Sequence, residues 1–332
     1  MDRTVSGYLE GISMGEPREI GRVGLIPLFS GAVVSTPYIA LRTAFERGVL
    51  LIQESDESGT VGQLKVTNKG DAPVLLLDGE ELSGAKQNRV LNTTILVPAN
   101  ETILIPVSCT EQGRWSYTSP RFEESLSVAP PRVRRSTQAA VTDSVRISGR
   151  YAGNQSEVWS RVQEIGEEAA VHSSTSAMRD VFRERLPQLD DVADKFPVVA
   201  DQVGLVAVVE NTVLGLDVVT RPEVYGLLHI KLIRSYVLDA SLRRDTHVQD
   251  RDIAALSRSF MESIKKTTES RHESIGLGYD YRYTGAGIVG SALSFQSELI
   301  HAAFFSVPPE ERGRGSYDSP ISNHARRRGF RM

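Results

Sequence analysis

Between Asp78 and Trp115 the chain reads DGEELSGAKQNR, then two long β-type runs, then EQGRW, so that dense polar chemistry brackets a hydrophobic hairpin. The carboxylates Glu80 and Glu81, beside Asp78, are the residue types for a general base or for holding a divalent cation, and they form the candidate catalytic pair. Neighbouring side chains on a strand point to opposite faces, so Glu80 can share a surface with Asp78 while Glu81 faces away. Lys86, Gln87, Asn88 and Arg89 supply donors, and Arg89 or Arg114 has the planar fork that grips a carboxylate or phosphate. Trp115 offers a face on which a base or sugar ring stacks. With Glu111 and Gln112, these residues make the candidate ligand-binding set. The competing reading is structural: the cations pair with Glu80, Glu81 and Glu111 across the hairpin, each pair contributing ~0.2 to 1 kcal/mol.

Other motifs carry less. Gly285-Ala286-Gly287-Ile288-Val289-Gly290 has the spacing of a dinucleotide loop, but strand-like alternation follows it, and it reads as a loop and strand start. Gly79 to Lys86 lacks the lysine directly after the second glycine that a phosphate loop requires. The six histidines have no metal-ligand spacing, so no zinc site is expected. His301 lies in the apolar run ELIHAAFF and reads as a hydrogen-bonded core histidine. Lys231, Arg234 and Ser235 form a stripe that reads as the solvated side of a helix. The single cysteine, Cys109, ends the run ILIPVSC and reads as a buried structural thiol in a reducing cytoplasm.

The elements that must position the polar hairpin are mostly strands up to Cys109: GRVGLIPLFS, VLLIQES, QLKVTN, APVLLLDG, RVLNTTILVPA and ETILIPVSC, with a short helix over 38–48. Frequent turn signals favour an antiparallel β-sandwich-like N-terminal domain. Residues 119–153, rich in Pro, Ser and Arg without sustained period, read as a linker, placing a boundary near 150. A second domain over 151–307 is α+β. It has a capped helix after Asn154, a hairpin VGLVAVV/VLGLDVV, a largely apolar helix from Pro222, a further helix DIAALSRSFMESIKK and a last hairpin IVGSALSF/ELIHAAFF. Antiparallel hairpins with helices on one face are expected, and a disordered tail over 308–332.

At 332 residues and ~100 to 200 residues per domain, two domains with sizeable cores are expected. A net charge of −4 gives no pull toward nucleic acid or an anionic membrane, and no apolar segment approaches the ~18 residues of a membrane span. The chain reads as a cytoplasmic protein.

The segments DGEELSGAKQNRVLNTTILVPA, EQGRWSY, VLGLDVVTRPEVYGLLHIKLIRSYVLDA and GSALSFQSELIHAAFF resemble the family of the ARG and rhodanese-phosphatase-superfamily-associated protein domain, from about Leu25 to Phe305. The family name records association with ADP-ribosylglycohydrolase and rhodanese-phosphatase proteins. By association, the resemblance implies a link to ADP-ribose or NAD-derived metabolites and joins the polar residues of the hairpin into one feature. The expectation is a protein that binds, and in one version processes, a phosphorylated or nucleotide-derived small molecule at the hairpin. The cofactor is left open, a divalent cation being compatible with the acids. A reading of another class makes the hairpin the subunit interface of a non-enzymatic homo-oligomeric scaffold, helped by long strands with open edges.

Overall fold

The structure is a computed structural model that describes residues 1–55, 61–243 and 251–312. From the N-terminus, helix α1 (Arg3–Glu10) precedes β1 (Ile12–Met14), β2 (Arg18–Ile20) and β3 (Val23–Ser30). Next come β4 (Ile39–Ala40), α2 (Leu41–Glu46), β5 (Leu50–Glu54), β6 (Gln63–Asn68), β7 (Val74–Leu76), β8 (Glu80–Gly84), β9 (Arg89–Leu91), β10 (Ile95–Val97), β11 (Thr102–Cys109) and β12 (Phe122–Val128). Helices α3 (Pro131–Ser148), α4 (Gln155–Glu168) and α5 (Met178–Ala193) lead to β13 (Gln202–Val209) and β14 (Thr212–Val219). Helices α6 (Pro222–Ser241) and α7 (Ile253–Ile264) precede β15 (Thr268–Glu273), β16 (Tyr279–Gly285), β17 (Ile288–Phe295) and β18 (Glu298–Ser306).

The class is α+β, with antiparallel pairing throughout except between β4 and β7. A nine-stranded sheet runs β1-β3-β13-β14-β18-β17-β16-β15, with β2 on β3. Its strands alternate their side chains between two cores. Leu25, Leu205, Ala207 and Val209 join α3 to α6 on one face. Ile26, Leu28, Val206 and Val208 meet α1 and α7 on the other. Helices therefore cover both faces rather than one. The apolar stripe of α7 (Ile253, Phe260, Ile264) would be exposed if α6 and α7 shared a side, because α6 already fills its face with residues buried along its whole length. A sheet ordered β12-β8-β9-β11-β6-β5 and a short one ordered β10-β7-β4 enclose a separate sandwich-like core.

Three segments differ from their reading in the sequence. Residues 122–148 form β12 and α3 rather than a linker. The inward face of α3 carries Arg134, Arg135, Thr137, Gln138 and Thr142, so its period is concealed by buried polar residues, and Pro131 stands at the helix start, where a missing N–H costs nothing. RVLNTTILVPA is not one strand: β9 pairs with β11 and β10 with β7, the chain changing sheets at Asn92-Thr93-Thr94. The segment after Phe305 begins ordered, with a 3-10 turn at Pro309–Glu311 whose Glu311 is buried against Arg135; residues 313–332 of the expected tail lie outside those described.

Strands β3 and β13, from either side of the boundary expected near 150, pair over their full length within one sheet. No described helix is long and apolar enough to cross a membrane.

Candidate functional site

Asp78 leaves β7 into the turn before β8 and points into a closed pocket between α3 and the large sheet. Arg134 of α3 donates to Asp78 Oδ1 at 2.9 Å and Oδ2 at 3.2 Å, and to Asp217 Oδ1 and Oδ2 of β14 at 2.6 and 2.9 Å. Tyr236 of α6 donates to Asp217 Oδ2 at 2.7 Å, and Gln138 to Asp78 Oδ2 at 3.1 Å. His301 Nδ1 lies 2.9 Å from Thr94 Oγ1, and its Nε2 stands 3.6 Å from Asp217 Oδ1 without a hydrogen-bond partner. Burial pushes the Asp78 and Asp217 carboxyls up, but the Arg134 charge and hydrogen bonds outweigh it and hold both below the ordinary carboxylate range. The cluster joins four elements and is sealed from solvent.

The adjacent acids go to different places, as strand alternation requires. Glu80 accepts from Lys231 of α6 at 2.8 Å, and the same ammonium also pairs with Glu124 of β12. Lys231 and Ser235 are therefore buried and not part of a solvated stripe; burial lowers the lysine pKa, but Glu80 and Glu124 raise it further. A protonated lysine fixed on two carboxylates removes Glu80 from the base role. Glu81 turns the other way, accepting from Thr110 at 2.7 Å, Ser125 at 2.6 Å and Ser127 at 3.0 Å. With Asp78, Glu80 and Glu81 in three separate pockets, they cannot chelate one cation, and among the described residues no group of three or more His, Cys, Asp or Glu could hold a metal.

The loop after β11 is built by Arg114. Its guanidinium donates to Glu111 at 2.6 Å, to the Ala85 and Ser116 carbonyls at 2.8 and 2.9 Å, and to Thr118 at 3.3 Å. Glu111 also accepts from Thr175 at 2.8 Å and from the Asn88 N–H at 3.2 Å; the Arg114 hydrogen bond first, then these two, offset burial and draw its pKa down. Arg114, Glu111 and Asn88 thus form a clamp between the loops 84–88 and 111–119. Gln112 is exposed.

Arg89 differs. It is fully buried on β9, its Nη1 donates to the Gln87 carbonyl and to Gln87 Oε1 at 3.2 Å each, and Glu54 lies 3.6 Å from Nη2. Its Nε and Nη2 have no hydrogen-bond partner, nor does Glu54 Oε2. The guanidinium carbon sits over the Trp115 ring, 5.8 Å from its centroid. Lys86 Nζ lies 5.5 Å from the same ring and 5.1 Å from that of Tyr117. Trp115 and Tyr117 are 48 % and 54 % exposed, so each ring keeps a free surface. Cys109, the register partner of Arg89, is buried, and burial pushes its thiol up to about 11, as befits a structural residue.

The structure therefore brings Lys86, Gln87, Arg89 and Trp115 together, assigns Glu111, Asn88 and Arg114 to a structural clamp, and sends Glu80 and Glu81 to opposite sides. The sequence reading missed Tyr117 and Glu54 at this rim, and Arg134, Asp217 and Ser125 elsewhere. Tyr117, two residues beyond Trp115, was the one with a local signal.

The family model for the ARG and Rhodanese-Phosphatase-superfamily-associated Protein domain matches residues 11–305. No curated protein and no solved structure matches the chain.

Proposed function

The chain belongs to the family of the ARG and Rhodanese-Phosphatase-superfamily-associated Protein domain, and from that premise we propose that it binds an anionic, nucleotide-derived small molecule at the rim of Lys86, Arg89, Trp115 and Tyr117. The observation that carries this reading is Arg89: a buried guanidinium, ion-paired to Glu54 at 3.6 Å, with two nitrogens that make no hydrogen bond, beneath a half-exposed indole. An unpaired buried donor costs ~1 to 3 kcal/mol, more when charged, which a ligand oxyanion would recover. The free faces of Trp115 and Tyr117 suit a purine or ribose ring, and rotation of the exposed indole would open the way to Arg89. ADP-ribose and NAD-derived compounds have both parts, and they are the class that the family association suggests.

The test is calorimetric titration with ADP-ribose, NAD and AMP, with and without magnesium. Arg89→Ala should weaken binding at least tenfold and Trp115→Ala by about 1 to 3 kcal/mol of stacking. A wild-type chain that binds none of them overturns the reading. The exposed aromatic pair also favours a second reading, in which this loop is the contact between copies of the chain. Light scattering separates the two: Trp115→Ala lowers the solution mass if the loop is an interface and leaves it unchanged if it is a ligand site.

A further inference from the structure

The nine-stranded sheet ends at β15, whose far side pairs with no described strand. The Ser274 N–H donates to the Gly278 carbonyl at 3.1 Å, and that pair continues the β15–β16 register. Opposed residues of an antiparallel pair alternate between bonded and non-bonded positions, so the N–H and C=O of Glu269, Arg271 and Glu273 point away from β16. The Tyr151 hydroxyl donates to the Glu273 carbonyl at 2.6 Å, which fits that direction and closes one end of the edge. Among the described residues no hydrogen bond takes the outward backbone groups of Glu269 or Arg271. Edges are commonly blunted by proline, by a bulge or by charge. β15 has neither proline nor bulge, and its charges are of both signs. Glu269 and Arg271 lie two residues apart on one face, and neither makes an ion pair among the described residues. The Asp2 N–H donates to Glu269 Oε2 at 2.8 Å, and Arg271 stacks 3.6 Å from the Tyr279 ring centroid, so both side chains are held beside the edge. A groove of about 550 Å³, lined in part by Asp2, Arg271, Glu273 and Tyr279, leaves room there for incoming side chains.

We propose that β15 is an interface on which a second copy of the chain adds its own β15, antiparallel, joining the two large sheets across a two-fold axis at Ser270. The contact lies on the nine-stranded sheet and does not depend on the ligand rim. Only registers that set outward residues opposite one another can exchange backbone bonds, and charge chooses among them. With Arg271 opposite its own copy, Glu269 meets the second copy's Glu273 and every such pair repels. With Glu269 opposite its own copy, two acids meet at the axis. With Arg271 opposite the second copy's Glu273, the bonds would need the Glu273 carbonyl that Tyr151 already holds. The register centred on Ser270 sets Glu269 opposite the second copy's Arg271 on both sides of the axis, and Thr268 opposite the second copy's His272. It uses only the outward backbone groups of Glu269 and Arg271, and it is self-complementary, as a two-fold contact must be.

Light scattering on the full chain should give twice the mass of one chain. Arg271→Glu, which sets acids opposite acids, should reduce it to the mass of one chain. Adding Glu269→Arg restores opposite charges and should restore the dimer. The register is read with Ser270→Cys: opposed residues of a non-bonded pair stand ~4.5 Å apart at their α-carbons, within the ~4.4 to 6.8 Å that a disulfide spans. Mild oxidation should therefore give a covalent dimer from Ser270→Cys and none from His272→Cys, whose counterpart is Thr268. The native Cys109 is buried and does not compete. A wild-type chain of single mass, a dimer that Arg271→Glu leaves intact, or cross-linking at His272→Cys in place of Ser270→Cys overturns the proposal. Trp115→Ala should leave the mass unchanged; a dimer lost there and kept in Arg271→Glu assigns the contact to the loop after β11 instead. The nucleotide titrations are read separately, so either reading can fail while the other stands.

Discussion

Arg134 holds Asp78 and Asp217 away from water, so its removal leaves two negative charges buried side by side. Breaking a buried pair in this way costs about 3 to 5 kcal/mol, and Arg134→Met should lose at least that much, since it orphans two partners at once. Urea unfolding measures it; a loss under about 1 kcal/mol would mean that the remaining partners hold the two charges unaided. The pH dependence has a definite sign. Both carboxyls have folded pKa values below their ordinary 3.8, so the stability they contribute is complete above 3.8 and is lost as pH falls through the folded values. The share of the urea midpoint that this pair contributes should therefore fall below 3.8, and Asp217→Asn should flatten that part of the acid limb. Little of this cluster was legible in the sequence. Asp78 stood among other acids, and nothing local in Arg134 announces that it bridges Asp78 and Asp217, 56 and 83 residues away. The hairpin itself was legible because polar residues are so dense there, but density did not separate a structural clamp from a ligand rim. Arg114 and Arg89 are the same residue type, and only the count of satisfied donors distinguishes them.

The turn from β7 into β8 is the element that brings Asp78 to α3, and its shape depends on Gly79. That residue has φ of +80, and a β-carbon on it would lie 2.7 Å from both Cγ and Cδ of Arg134. Gly79→Ala therefore combines backbone strain with displacement of the guanidinium that both aspartates need. The expected loss is ~1 to 3 kcal/mol from backbone strain, with more where Arg134 must shift. It is measured by thermal unfolding, with Gly21→Ala as a reference: Gly21 has φ of +57 but nothing within 4 Å of an added β-carbon. Equal losses in the two would show that strain alone matters and that Arg134 moves freely. Elements with one apolar face were plain in the sequence. The Gln296-Ser297 turn between β17 and β18 takes φ of +51 and +63, the left-handed pair that a two-residue hairpin needs, and the Asn154 side chain accepts from the Glu157 N–H as a cap at 3.3 Å. The concealed element was α3, because a helix whose inward face bears Arg134, Arg135 and Gln138 has no hydrophobic period to find.

Across the whole molecule, sequence order and spatial order diverge at β3. Periodicity reports that Val23–Ser30 is a buried strand but not which strand it pairs with, and the natural inference joins it to its neighbours in the chain. It does pair with β1 and β2, its neighbours in the chain, but its other edge takes β13, and Ile26 and Leu28 fill the core under α1 and α7. The large sheet is thus closed by residues from the start of the chain, and α3, also before residue 150, lays Arg134 against Asp217 on the same sheet. A fragment of residues 151–332 would carry β13 with its β3 edge open and its fully buried side chains facing water, and it would leave Asp217 without its counter-ion. Exposed apolar edges of this kind pair with other chains. Expressed alone, the fragment should lack a cooperative unfolding transition and should aggregate; mixed with residues 1–150 during refolding, it should recover the wild-type far-ultraviolet spectrum and a single transition. A fragment that unfolds cooperatively on its own would support the boundary near 150 as a true division between independently stable units. It would also mean that β3 adds to a sheet already complete without it.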